Sequence, residues 1–234
     1  VNRRGRDMGL YELKMYLKRL KIVKHILKRK FNKKSSEKQD ILAESGLQCI
    51  REIESCLKEY GGKYFADFGT LLGIIRDHQF ISWDIDIDYG ILFSDDFDWA
   101  KFEKQLNSYG FEKIRQFRLY NKIREQTYRK GNMTIDFFGH ENVKDGSICY
   151  GFYRKENYIY HSKYEHHVRR GKHAGIEKIR KEKFWGVEVN VPENAEEYLE
   201  SIYSTSWRTP DPKWSVNTES DNIEELSDLG YKEF

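Results

Sequence analysis

Leu10, Leu13, Leu17, Leu20 and Leu27 recur at spacings of three, four and seven, with Tyr16 and Val23 beside them. This stripe predicts an amphipathic helix over residues 9–31. Asn32 to Ser36 breaks the pattern, and a second helix is predicted over 37–59, its buried face marked by Ile41, Leu42, Leu47, Ile50, Ile53 and Leu57. Gly61-Gly62 ends it. A short strand follows over 63–67, and Gly69-Thr70-Leu71-Leu72-Gly73-Ile74-Ile75-Arg76 reads as a turn opening a short helix. Residues 77–83 are expected to form a loop, 85–92 a strand of alternating character, and 97–109 a helix stopped by Gly110. Strand patterns then occupy about 111–118, 121–130, 132–139, 147–154 and 157–163, with Asp145-Gly146 as a hairpin turn. Residues 165–182 are basic and show no clear period. A strand is expected over 184–191, a helix from Pro192 to Tyr203, and an irregular tail beyond. The pattern is that of an α+β fold, a mixed β-sheet with flanking helices, preceded by a basic amphipathic N-terminal helix.

Composition and charge add a division to this picture. The 234 residues carry 15% aromatics and only three prolines, which suits one sheet-containing globular domain. The formal net charge of +3 is unevenly spread: residues 1–36 hold thirteen Lys/Arg against two acids, about +11, which leaves the remainder near −8. The charge sets a basic segment 1–36 apart from the remainder, which is read as a domain 37–215 and a tail 216–234. No run reaches the ~18 to 20 apolar residues needed to span a bilayer, and no apolar stretch of the signal-peptide kind follows the charged start. The expectation is a cytoplasmic protein. Cys49, Cys56 and Cys149 have neither zinc nor disulfide spacing and are expected to be buried thiols.

The chemistry concentrates in Trp83-Asp84-Ile85-Asp86-Ile87-Asp88. In a strand, alternate residues share a face, so the three carboxylates project together. Like charges gathered this way call for a hard cation, Mg²⁺ or Mn²⁺. Asp136 is a single acid within the otherwise apolar Met133-Thr134-Ile135-Asp136-Phe137-Phe138, costly to bury alone, and is the candidate for a further ligand from a neighbouring strand. Gly69-Thr70 at a helix entry suits a phosphate, and Arg76 can grip phosphate oxygens with both arms of its guanidinium.

Gly69-Thr70-Leu71-Leu72-Gly73, Arg76, Phe80-Ile81 and Trp83-Asp84-x-Asp86-x-Asp88 together resemble the signature of the LicD family, which includes the fukutin-like phosphotransferases. A second resemblance runs from Phe184-Trp185-Gly186 through Val191-Pro192 to Tyr198-Leu199 and Tyr203. The likeness covers about residues 40–215. It implies a nucleotidyltransferase-like fold and transfer of phosphocholine or a polyol phosphate from CDP-choline, CDP-ribitol or CDP-glycerol. The acceptor would be a hydroxyl of a cell-surface glycan or its lipid-linked oligosaccharide precursor, and CMP would be released. On the matching positions, Gly69 and Thr70 would hold the donor's phosphates with Arg76, and Asp84 would stand on the substrate side. Asp86, Asp88 and Asp136 would bind metal and carry catalysis, with Asp136 also the first candidate to take the hydroxyl's proton. Ile85, Ser82 and Phe68 depart from the family pattern, and Phe68 is expected to reshape the donor pocket.

Two other readings use the same residues differently. A true nucleotidyltransferase would attach NMP and release pyrophosphate. A non-catalytic glycan- or membrane-binding module would use the basic helix and the many aromatics but has no need of three aligned aspartates. No nucleic-acid reader motif is present. Residues 1–36 are expected either to hold the enzyme on the anionic inner face of the cell membrane or to pack their leucine stripe on the rest of the chain and leave a solvated basic face.

Overall fold

The structure, a computed structural model, describes residues 45–81, 84, 86–94, 97–212, 214 and 222–234. The helix predicted over 9–31, the start of the one predicted over 37–59, and Ser82, Trp83 and Ile85 lie outside the described residues. What is described is a large mixed sheet with helices, an α+β arrangement.

Helix α1 (Leu47–Tyr60) leads into β1 (Lys63–Ala66), the short helix α2 (Phe68–Leu72) and a π-turn over Gly73–Asp77. Then come β2 (Ile87–Leu92), α3 (Trp99–Ser108), β3 (Glu112–Leu119), β4 (Lys122–Lys130), β5 (Met133–Val143) and β6 (Gly146–Tyr153). The chain ends its described course with β7 (Glu165–His173), β8 (Ile179–Phe184), β9 (Val187–Pro192), α4 (Ala195–Tyr203) and β10 (Ile223–Glu233).

Eight strands form one sheet in the order β1-β2-β5-β4-β3-β10-β7-β6, and β6 also pairs with the far end of β5. Six of them, from β5 round to β6, therefore close into a ring, with β2 and β1 as an extension. The β2–β5 pair is parallel and the others antiparallel. Leu119 of β3 forms one buried cluster with Tyr150 of β6 and Val168 of β7 although β3 neighbours neither of those strands, so the three fill the ring's interior. The larger core packs α1, α3 and α4 with the first two strands, β5 and the β8–β9 hairpin around Phe65, Tyr89, Phe102, Phe137 and Tyr198. Glu54 of α1 is buried there and clamps three elements: it accepts from Tyr89 (3.1 Å) on β2, Tyr64 (3.4 Å) on β1, and the Asn190 amide (3.0 Å) on β9. Such a buried acid is tolerated because its oxygens are satisfied.

Four expectations are corrected. The strand predicted to begin at 85 begins at Ile87. Residues 157–163 form no strand: Tyr158 and Tyr160 mimic alternation but fold back onto His167, and Arg154 lies over the Tyr160 ring at 4.0 Å. Pro192 closes β9, and α4 starts at Ala195. The tail expected to be irregular contains β10, an eleven-residue strand set between β3 and β7. Its acids face the basic strand that showed no period: Glu224 pairs with Arg170, Glu225 with Arg169 (3.7 Å), and Glu233 with Arg118 of β3 (2.8 Å). Charge complementarity across the ladder replaces hydrophobic alternation here.

Candidate active site

Asp67 follows β1 and caps α2, its Oδ1 accepting from the Phe68 amide at 2.8 Å. It is fully buried and also receives the Tyr198 hydroxyl (2.9 Å) and His140 Nε2 (2.7 Å). Ser147 Oγ lies 3.4 Å from His140 Nδ1. Ser147, His140 and Asp67 have the order of a hydrolase relay, yet all three are 0% exposed, so no substrate reaches the hydroxyl. They brace the floor of the site. Burial works against charge on His140, but Cys149 and Asp67 push its pKa up to about 10.

Above this floor α2 is tied to β2. Thr70 Oγ1 accepts from the Asp88 amide (2.9 Å), and the Gly69 amide donates to Asp88 Oδ2 (3.2 Å). A Cβ at Gly69 would stand 2.1 Å from Asp84 Oδ2, so glycine here lets that carboxylate keep its place. Phe68 carries a positive φ of 37°, strained for a bulky residue.

Asp84, Asp86 and Asp88 each offer a carboxylate oxygen within 4.8 Å of the others'. Asp88 is in β2, whereas Asp84 and Asp86 precede the strand, so loop geometry as well as strand alternation gathers them. Burial and then the hydrogen bond and charge of Asp84 raise the Asp86 pKa to about 7. Burial and the surrounding acids hold Asp88 well above the usual range. Hard oxygens gathered at this density, and repelling one another, fit Mg²⁺ or Mn²⁺.

Asp136 sits directly opposite Asp88 on β5. It lies outside the set of three mutually close carboxylates. Thr127 of β4, itself opposite Asp136, donates to Asp136 Oδ1, and Arg115 of β3 donates to Thr127 (2.9 Å) and lies 3.5 Å from the same Oδ1. One row thus crosses four strands: Asp88, Asp136, Thr127 and Arg115. Burial raises the Asp136 pKa, while Thr127 and Arg115 lower it.

A cavity of about 280 Å³ opens on the cluster. Gly69, Arg76, Asp84 and Asp88 line it together with Tyr203, Trp207, Thr209 and Asp211. Arg76 comes from the π-turn, a device common at functional sites. Its Nε and Nη2 grip Asp77 (2.8 and 2.7 Å) and its Nη1 donates to the Trp207 carbonyl (3.2 Å). Arg76 therefore joins the two halves of the cavity wall, and its fork is already engaged. Gly69, Arg76, Asp84 and Asp88 are brought together on the walls of this cavity. Asp86 belongs to the cluster, Asp136 stands beside it, and Thr70 is buried behind it. Asp67, Thr127, Arg115 and His140 escaped sequence reasoning. Thr127 and Arg115 had a signal only through the strand register, which fixes what faces Asp136.

A match to the family described as LicD/FKTN/FKRP, nucleotidyltransferase domain, covers residues 61–194, more than half of the chain. The chain belongs to the LicD family. The match takes in α2, the aspartate cluster, Asp136 and the β8–β9 hairpin. An uncharacterized protein, RP689, of Rickettsia prowazekii (strain Madrid E) is 25% identical over 145 residues, 62% of this chain and 48% of the relative. The chain thus spans about half the length of that relative. Both stretches that carry the LicD resemblance converge at the site: Tyr198 binds Asp67, and Tyr203 lines the cavity, its hydroxyl pKa raised by burial and then by Asp88. LicD membership points to phosphotransferase-type chemistry on glycans. No described helix is long and apolar enough to cross a membrane.

Proposed function

We propose that this LicD protein is a metal-dependent transferase that moves a phospho-substituent, phosphocholine or a polyol phosphate, from a CDP-activated donor to a hydroxyl of a glycan or its lipid-linked precursor, releasing CMP. The observation that carries this reading is the convergence of Asp84, Asp86 and Asp88 at a cavity that Gly69 and Arg76 also line. The strand order, with aspartates on the adjacent parallel strands β2 and β5 next to a Gly-containing helix entry, supports a nucleotidyltransferase-like sheet.

Asp84, Asp86 and Asp88 would hold Mg²⁺ or Mn²⁺, which supplies charge neutralisation for the donor's pyrophosphate oxygens. The chain's own residues do the rest. Gly69 leaves room for the Asp84 carboxylate to come up to the helix entry, and Arg76 would offer its charge to the donor's phosphates from the same wall. Thr70 keeps Asp88 in place rather than meeting the donor. Thr127 and Arg115 both hold Asp136 by Oδ1, and its Oδ2 would be the oxygen left for the acceptor. The acceptor oxygen attacks phosphorus, its proton passes to Asp136, and the P–O bond to CMP breaks with its electron pair leaving on CMP. The basic segment 1–36 would keep the enzyme on the cytoplasmic face of an anionic membrane, where lipid-linked acceptors are presented.

Incubation with CDP-choline, CDP-ribitol and CDP-glycerol, Mg²⁺ and a glycan acceptor, followed by mass analysis, tests the reading. One donor should yield CMP and a phosphodiester product. Release of pyrophosphate from a nucleoside triphosphate instead would make the protein a nucleotidyltransferase, and no turnover with any of them would remove the catalytic reading.

A further inference from the structure

A second cavity, of about 320 Å³, lies against the first and shares Phe68, Tyr203 and Trp214 with it. Its remaining walls include Phe138 of β5, Tyr153 of β6 and Ile202 of α4. The floor is bare at Gly151, in the middle of β6 and opposite Arg169 of β7. A Cβ at Gly151 would meet nothing within 4 Å. A glycine inside a strand weakens it, and it marks places where something approaches the backbone closely. Its neighbours Tyr150 and Phe152 belong to the ring's interior cluster, so position 151 faces outward into the cavity.

Two ring nitrogens on these walls have no hydrogen-bond partner among the described residues: His173 Nδ1, on a residue only 5% exposed, and Trp214 Nε1. A buried polar atom without a partner is costly, so both are suited to a ligand's hydroxyl groups. Burial and then the charge on His140 lower the His173 pKa to about 4, so it meets such a ligand as a neutral imidazole. Among the described residues no carboxylate lines the cavity, and the one charged lining residue is Arg169, which lies over Tyr153 at 3.7 Å.

We propose that the cavity over Gly151 is the acceptor subsite and takes a sugar ring, stacked on aromatic walls by its C–H face and bonded by its hydroxyls at His173 and Trp214. The assignment rests on the transfer reading above. The first cavity has the carboxylates that would hold a nucleoside diphosphate's metal, and Arg76; among the described residues the second has neither, and it adjoins the first at Phe68, Tyr203 and Trp214. A quaternary ammonium group finds no acid here and an unfavourable Arg169. A lipid chain would leave both ring nitrogens unsatisfied.

The test is saturation-transfer NMR with methyl β-D-glucopyranoside, methyl β-D-galactopyranoside and methyl N-acetyl-β-D-glucosaminide, beside titration of CMP with Mg²⁺, on the full chain and on Gly151→Leu. At least one glycoside should bind the wild type and shift the Gly151 and Gly171 amide resonances. Gly151→Leu should weaken it about tenfold or more, roughly 1.4 kcal/mol, with CMP affinity unchanged. If the variant does not fold, the wild-type amide shifts decide alone. Equal glycoside binding in both proteins, glycosides that shift neither amide, no binding of any glycoside, or loss of CMP in place of sugar would each overturn the assignment. A protein that binds glycosides through this cavity but neither binds CMP nor consumes any CDP donor would retain a saccharide site, and the transfer reading would fail instead.

Discussion

Asp88 and Asp136 stand directly opposite each other on the parallel strands β2 and β5, yet they meet different partners. Asp88 joins Asp84 and Asp86, whereas Asp136 is held by Thr127 and Arg115. Their substitutions should therefore behave differently. In metal-free buffer, Asp88→Asn removes repulsion among the half-buried acids and should raise the melting temperature by ~2 °C or more. The same variant should lose the stabilisation that Mg²⁺ or Mn²⁺ gives the wild type. Asp136→Asn should keep most of that metal response while losing turnover. Thermal melts with and without metal check both. A wild type that shows no metal response would remove the cation from the site.

Gly69→Ala places a methyl group against the Asp84 carboxylate. Asp84 is a side chain and can move aside, so the fold should survive with a melting temperature within about 3 °C of wild type. The displaced carboxylate should lower turnover on the order of 10²-fold, as a misplacement of about 1 Å can. Steady-state kinetics beside a melt separate this from general destabilisation, in which both measures would fall together.

The buried His140–Asp67 pair makes stability depend on pH. Its folded pKa of about 10 lies above the ordinary histidine value of 6.5. The stabilisation is therefore complete below about pH 6.5 and fades as pH rises toward 10. His140→Gln should lower stability by ~3 kcal/mol at pH 6, as breaking a buried pair does, and the gap should narrow by pH 10. Urea unfolding at the two pH values measures it; a gap that widens with pH would contradict the assignment.

Glu125 of β4 lies in the strand register beside the site row, opposite Phe138. Burial, and then the charge of Asp136, raise its pKa to about 8. Between about pH 4.5 and 8 the folded chain holds a proton that the unfolded chain gives up, so this group lowers stability as pH rises through that window. Glu125→Gln, neutral at every pH, should melt ~2 °C or more above wild type at pH 8, with little difference at pH 5.

Residues 1–36 carry the membrane expectation. The full chain should pellet with anionic vesicles at low salt and be released at high salt, since basic side chains near such a surface contribute ~1 kcal/mol each. A chain starting at Lys38 should stay in solution. Identical behaviour of the two would remove the tether.

The aspartate cluster and Gly69 were legible in the sequence because short-range spacing alone places them. The β5–β6 hairpin was legible because Asp145-Gly146 has local turn chemistry. Arg115 and Thr127 were not, since what faces Asp136 depends on a register set across three strands. Arg76 was recognised as part of the site, but its fork to Asp77 and its bond to the Trp207 carbonyl were hidden, because the latter contact comes from a distant loop. β7 and β10 were missed for one shared reason. Each lacks an apolar period, and each becomes a strand through the opposite charge of the other.

That last pairing bears on how the chain is made. Synthesis delivers β3 to β7 before β10, so the emerging ring has one stave missing, and β3 and β7 each present an open edge. Unpaired edges recruit other chains. Here the waiting edges carry Arg118, Arg169 and Arg170, and like charge holds two such nascent chains apart. The arrival of Glu224, Glu225 and Glu233 converts that repulsion into closure. The charges that keep the half-made protein solitary are the ones that lock the finished one.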